Sequence, residues 1–112
     1  IGAFEYGATA WSAGIDWTPK FRRAVWKPDA GSTDWHTASN WSTGNVPTAD
    51  VHVLIPTGAS NYPTITGSNA TCNNLTIYSS ASMTLSSSYT LTISGDFRNM
   101  GTATISGDVV IQ

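Results

Sequence analysis

The pentapeptide Thr-Ile-Ser-Gly-Asp occurs twice, at 92–96 and at 104–108, and Asn-Leu-Thr-Ile at 74–77 returns as Thr-Leu-Thr-Ile at 90–93. Approximate repeats of short alternating segments restrict a chain to a small number of all-β architectures. The second half of the sequence consists of such segments: NLTIYSS (74–80), SMTLSS (82–87), YTLTISG (89–95), TATISG (102–107) and DVVIQ (108–112). Each is rich in β-branched residues, alternates apolar with polar positions, and is separated from the next by Gly, Asn or Ser, which is the pattern of strands. No window places apolar residues at helical spacing over three turns, and Ser, Thr, Gly and Asn are poor residues for a helix interior. The sequence predicts almost no helix.

Strands of this kind close either through hairpins into a β-sandwich or by stacking successive coils into a solenoid. Hairpins favour two-residue Asn-Gly or Asp-Gly links. Here the links are Ser runs and Ser-Gly-Asp, which suit open corners, with Gly expected to take an unusual backbone angle and Asp to bond back to the chain. The expected fold is therefore an all-β, right-handed parallel β-helix (solenoid), with a β-sandwich as the alternative. In the solenoid Leu75, Ile77, Leu91, Ile93, Ile105, Val109 and Ile111 point inward as aliphatic ladders. Thr76, Thr92 and Thr104 face out, where a β-branched hydroxyl residue keeps the backbone extended and the surface wet.

All five tryptophans lie at or before Trp41, while most of the Ser/Thr-Ile/Leu alternation lies after residue 45. Two regions are expected, with the change near residue 45, within the size of a single small domain. Charged residues are 11% of the chain and the polar positions are filled by Ser, Thr, Asn and Gly, which suits an extracellular or cell-surface setting. Five Lys+Arg and a net charge of -2 are too few cations to neutralise a row of phosphates, so nucleic acid is not an expected partner. No apolar run approaches the roughly 20 residues of a membrane span, and no charged-then-apolar leader opens the chain at Ile1. Cys72 is the single cysteine and cannot form an intrachain disulfide.

The stretch from Trp41 to Gly101 resembles the start of a β-solenoid module that recurs in large secreted and surface proteins of Bacteroidetes-type bacteria. The matching residues are Trp41-Ser42, Gly44, Val46-Pro47-Thr48, Asp50, Ile55-Pro56, Leu75 to Ile77 and the run from Leu91 to Gly101. Separately, IGAFEYG at 1–7 resembles the C-terminal end of a polysaccharide-lyase-like right-handed parallel β-helix domain. The two resemblances together imply a slice of a longer protein. Residues 1–33 would be the tail of a preceding β-helix plus a Trp-rich linker, and 34–112 the capped start of a solenoid that stops within a repeat. They also imply export and a structural, adhesive or carrier role.

Indole faces stack on sugar rings, so Trp11, Trp17 and Trp26, in the less patterned segment, are the candidate carbohydrate-binding residues. Trp35 and Trp41 are instead expected to act with Pro47 and Asp50 as a structural cap, with Pro47 stopping any earlier regular structure and Asp50 marking the turn into the first strand, Val51 to Ile55. Asp34, His36, Asp50 and His52 are the residues of a type that could ligate a metal. In VHVLI, however, His52 lies on the face opposite Val51, Val53 and Ile55, and nothing in the spacing places His36 beside it, so no metal site is expected.

Asp96 and Asp108 offer one carboxylate per corner, too few for calcium, which takes six to eight oxygens. No paired carboxylates, nucleophile elbow, phosphate loop or Cys/His pair is present, so neither catalysis nor a cofactor is expected. Asn40, Asn69 and Asn74 begin glycosylation triplets that an Asn/Ser/Thr-rich chain contains by chance. The expected function is a non-catalytic structural or adhesive module whose partners are flanking domains of a longer chain or copies of itself end to end in a fibre. The alternative is a carbohydrate-binding module serving a polysaccharide-degrading enzyme.

Overall fold

The computed structural model describes residues 22–112. Its strands are β1 (Arg22–Val25), β2 (Val51–Ile55), β3 (Thr64–Ile65), β4 (Ala70–Cys72), β5 (Leu75–Ile77), β6 (Ser82–Leu85), β7 (Thr90–Ile93), β8 (Phe97–Asn99), β9 (Thr102–Ile105) and β10 (Asp108–Ile111). A single 3-10 turn at Ala38–Asn40 interrupts the long connection between β1 and β2. The described chain is all-β, and its strands form three sheets with the orders β1-β2-β5-β8, β3-β6-β9 and β4-β7-β10. Every strand pair in them is parallel.

From β2 onward, each strand passes to the next sheet and the chain returns to the same sheet with every third strand. Hairpins would have paired sequence neighbours antiparallel; the antiparallel contact among the described residues is instead an isolated bridge between Trp26 and Trp41. Because the register repeats from circuit to circuit, like residues stand in columns: Val53, Leu75 and Phe97 align, as do Ile65, Leu85 and Ile105, and Cys72, Ile93 and Ile111. Period-2 alternation turns one set of side chains into the space between the sheets. Ile55, Ile65, Leu75, Ile77, Leu85, Leu91 and Ile93 are all fully buried there. Each contributes about 1.5–3 kcal/mol relative to its exposed state. Thr76 and Thr92 are half-buried and Thr104 is exposed, and Thr64, Thr84 and Thr104 form a threonine column on the second sheet.

Three expectations require correction. Ile105 and Ile111 continue the buried columns in register, yet they are 40% and 58% exposed, and Val109 is half-buried. The last circuit is covered from one side only, since among the described residues no strand pairs with the outer edges of β8, β9 and β10. The boundary expected after residue 33 is absent: β1 pairs with β2, and Ala24, Trp26 and Ala30 belong to the same buried cluster as Trp35 and Leu75. Finally, Gly95 and Gly107 do not adopt the left-handed backbone expected of the Ser-Gly-Asp corners. That conformation falls to Gly58 and Gly67 in the first circuit and to Ser80 and Ser88 in the second, at φ 64° and 75°. At Gly107 the constraint is close approach. A Cβ there would lie inside 3.0 Å of the carbonyl oxygens of Tyr89 and Ser86, because the corner of one circuit rests on that of the circuit before.

Candidate functional site: a sealed end and an open end

The residues between β1 and β2 close one end of the stack. After Val25 the chain leaves the first sheet at Trp26, whose backbone N–H still donates to Leu54 O at 3.0 Å. It then returns along the outer edge of β1: Ser42 N donates to Val25 O and Lys27 N to Asn40 O, both at 2.9 Å, while Val25 N donates to the Ser42 hydroxyl at 2.9 Å. On the second sheet, Trp35 N donates to Thr64 O at 3.2 Å and Thr64 N to Thr33 O at 2.6 Å, so residues 33–35 occupy the outer edge of β3. These bonds satisfy edge groups that otherwise invite another strand.

Three tryptophans fill the space beneath this lid. Trp41 stands between the other two, its ring centroid 5.1 Å from Trp26 at 81° and 4.8 Å from Trp35 at 75°. Both are edge-to-face contacts, in which the positive edge of one ring meets the negative face of the other. The Trp26 indole donates to Asn61 O at 2.7 Å and the Trp41 indole to Trp35 O at 2.8 Å. Trp35 Nε1 is buried and has no hydrogen-bond partner among the described residues. All three rings are 0% exposed.

This overturns the reading of Trp26 as a sugar platform. Its faces are covered by core side chains and its polar edge is committed, so no ring of a glycan reaches it. Trp11 and Trp17 lie outside the described residues. Trp35 and Trp41 are core residues of the sealed end, and Pro47 is buried next to Val46, which packs on the same cluster. Asp50 is exposed in the turn closed by Val51 N donating to Thr48 O at 3.0 Å.

The loop over the tryptophans is braced by its own polar side chains. Asp34 Oδ1 accepts the His36 backbone N–H at 3.0 Å and Oδ2 accepts the Thr37 hydroxyl at 2.7 Å. These bonds, the Thr37 hydroxyl first, hold the Asp34 carboxyl below its ordinary pKa. Asn40 is buried and donates to Ser32 Oγ and Asp34 O, each at 3.0 Å. His36 Nε2 donates to Ser68 O at 3.0 Å, tying the loop to the corner before β4. The residues weighed as metal ligands are used separately: His36 binds that corner, while His52 in β2 places Nδ1 3.4 Å from the Asn74 N–H. Among the described residues no group of three or more His, Cys, Asp or Glu is arranged to hold a metal ion.

Asparagines carry a role that the sequence reading missed. Asn74 Oδ1 accepts Asp96 N at 2.8 Å, Asn69 Oδ1 accepts Thr90 N at 2.9 Å, and Asn61 Nδ2 donates to Ala30 O at 2.8 Å. Each bond links one circuit to the next or to the lid. The signal was the position of Asn69 and Asn74 immediately before strands, obscured by their place in glycosylation triplets.

The opposite end has no such lid among the described residues. There Met100, Ile105, Val110 and Ile111 are 56%, 40%, 42% and 58% exposed, an apolar concentration at the edge of the stacked columns. Asp96 is exposed just before β8 and Asp108 at the start of β10, and Arg98 is exposed on β8.

A family model described as a domain of unknown function, DUF8693, matches residues 25–111. No curated protein and no solved structure matches the chain.

Proposed function

We propose that this chain, which belongs to the DUF8693 family, is a non-catalytic structural or adhesive module of an extracellular or cell-surface protein, built as a right-handed parallel β-helix. The observation that carries the reading is the column register. Three parallel sheets share one set of buried ladders, and every circuit rests on the last through backbone hydrogen bonds and Asn bridges. Such stacking makes a stiff rod whose length grows with the number of circuits. Right-handedness follows from the strong preference of parallel crossover connections for that hand. The surface is neutral and rich in hydroxyl groups, as the 11% of charged residues requires, and this suits display outside the cell.

The carbohydrate-binding alternative loses Trp26 to the core and rests on Trp11 and Trp17. A glycan array and affinity electrophoresis with bacterial, algal and host polysaccharides test the choice. A folded chain that binds none of them fits the structural role. Binding that disappears in Trp11→Ala or Trp17→Ala, with an unchanged thermal melt, would replace it by the carbohydrate-binding one.

A further inference from the structure

We infer that the outer face of the second sheet, β3-β6-β9, is an ice-binding surface, whose threonine and serine hydroxyls form a two-dimensional lattice matched to the water positions of an ice crystal plane. The inference names a target for the adhesive role proposed above and rests on that reading. The face runs along the side of the stack, so its exposure does not depend on what covers either end.

Register builds the lattice. Thr64 pairs with Thr84 and Thr84 with Thr104 in unbroken parallel ladders. Ser86 N donates to Ile65 O at 3.0 Å and Ser106 N to Leu85 O at 2.9 Å, which carries the register one residue past the strands and aligns Thr66, Ser86 and Ser106 in a second column. The intervening Ile65 and Leu85 are fully buried, so alternation turns both columns outward. Thr66, Thr104 and Ser106 are exposed, and Thr64, Thr84 and Ser86 half-buried. Neighbouring strands stand about 4.8 Å apart, and residues i and i+2 about 6.6 Å apart along a parallel strand. Water oxygens on a prism face of ice repeat at distances close to both. Side-chain ladders such as Ile65, Leu85 and Ile105 beneath the face favour a flat sheet over a twisted one.

The chemistry of the face suits the same target. Among the described residues none of these six hydroxyls makes a hydrogen bond, so each is available both to donate and to accept. Threonine is stiff at χ1, which lowers the cost of ordering it against a crystal, and contacts held on one rigid array engage together. Both columns are uncharged, unlike those of the other sheets, where Arg98 aligns with Leu54 and Thr76, and Asp108 with Thr90. A charged group keeps a hydration shell that does not fit a crystal plane. At the sealed end Asp34 pairs with Thr64 and bounds the face, its carboxylate committed to the His36 N–H and the Thr37 hydroxyl. A polysaccharide lattice would call for exposed aromatic rings. Tyr62, two residues before Thr64, instead packs on the buried cluster, and its hydroxyl accepts Gly58 N at 3.0 Å and Ala59 N at 3.3 Å.

The test uses the 112-residue chain in nanolitre osmometry, which reads the gap between melting and freezing and the shape of a growing crystal, and in partition of labelled protein into slowly grown ice. Thr84→Lys places a charge in the middle of the face, and Thr104→Lys places one where the side chain is already exposed. Thr92→Lys is the control, at a half-buried outward position in the middle strand of the third sheet. Circular dichroism and thermal melts establish that each variant is folded. The wild-type chain is expected to facet ice crystals, open a freezing gap and enter the ice. Thr104→Lys and a folded Thr84→Lys are expected to lose all three effects, and Thr92→Lys to keep them.

A wild-type chain that leaves ice unfaceted and is excluded from it like an inert protein would overturn the inference. So would equal loss of activity in folded Thr92→Lys and Thr104→Lys, or full activity in Thr104→Lys. Retention on crystalline cellulose or chitin, lost in Thr104→Lys and without any effect on ice, would overturn it in favour of a polysaccharide lattice. Failure of the structural reading is read separately, in the dependence of glycan binding on Trp11 and Trp17, which ice does not report.

Discussion

Replacing Trp26 with alanine separates a lid residue from a ligand-binding one. The side chain is fully buried, its indole N–H donates to Asn61 O at 2.7 Å, and its ring meets Trp41 edge-to-face at 5.1 Å. Truncating a buried Trp to Ala costs about 3–5 kcal/mol through lost transfer energy and the cavity left behind. The aromatic contact and the stranded Asn61 carbonyl place this site in the upper half of that range. A folded unit of about 90 residues has an unfolding entropy near 0.2 kcal/mol/K, so a loss of about 4 kcal/mol lowers the melting temperature by roughly 20 °C. Trp26→Phe keeps most of the buried surface and loses the N–H, and is expected to cost about 1–2 kcal/mol. Thermal and urea melts of the three proteins under one set of conditions give the comparison, with an unchanged urea slope showing that the same surface is exposed on unfolding. A Trp26→Ala chain that melts within about 2 °C of wild type would refute the burial argument and return Trp26 to the candidates for sugar stacking.

Two further substitutions and a pH series probe the stack itself. Gly101→Ala would bring a Cβ inside 3.0 Å of the Ala81 and Tyr78 carbonyl oxygens, backbone atoms that cannot swing away, whereas Gly31→Ala meets nothing within 4 Å. The first is expected to destabilise by about 1–3 kcal/mol. The second should be neutral or stabilising by up to about 1 kcal/mol, and equal melts for the two would count against close stacking of the corners. Burial pushes the Cys72 thiol from 9.0 up to about 12. Since the folded pKa is the higher one, the buried neutral thiol contributes its full stability below pH 9 and loses it as pH rises from 9 toward 12. Cys72→Ser or Cys72→Val should flatten that alkaline decline in urea midpoints. The native thiol should also resist alkylation at pH 8 until the chain unfolds, and rapid labelling of the folded protein would contradict the burial.

The repeating strands were legible because their signal is local. Period-2 alternation in NLTI and TLTI marks which residues turn inward, and Leu75, Ile77, Leu91 and Ile93 are fully buried. The Ser-rich links suggested open corners, and the parallel columns follow from strands that turn away from one another at each corner. What could not be read locally was the partner of each end. Ile105 and Ile111 carry the same alternation as Leu85 and Ile93, with which they align, but exposure depends on whether another layer covers them, and no pattern within TATISGDVVI encodes that. Trp26 was misread for the same reason. Its burial is created by Trp41 and Asn61, distant in sequence, and by pairing of the segment around Val25 with residues 40–42.

The roles of glycine show how position in the stack changes the physical demand on one residue type. Gly58 and Gly67 supply left-handed backbone at φ 92° and 85°, but the second circuit places Ser80 and Ser88 in that conformation. Gly101 and Gly107 then lie against the turns that contain those serines, where backbone oxygens leave no room for a side chain. A serine corner below and a glycine corner above therefore form one packing unit. The turn geometry of one circuit sets the side-chain volume tolerated in the next, which links corner chemistry to the register of the whole stack. A substitution at Ser80 would act through the contact with Gly101 as well as through its own backbone angle, so the energetics of neighbouring corners are expected to be coupled, not additive.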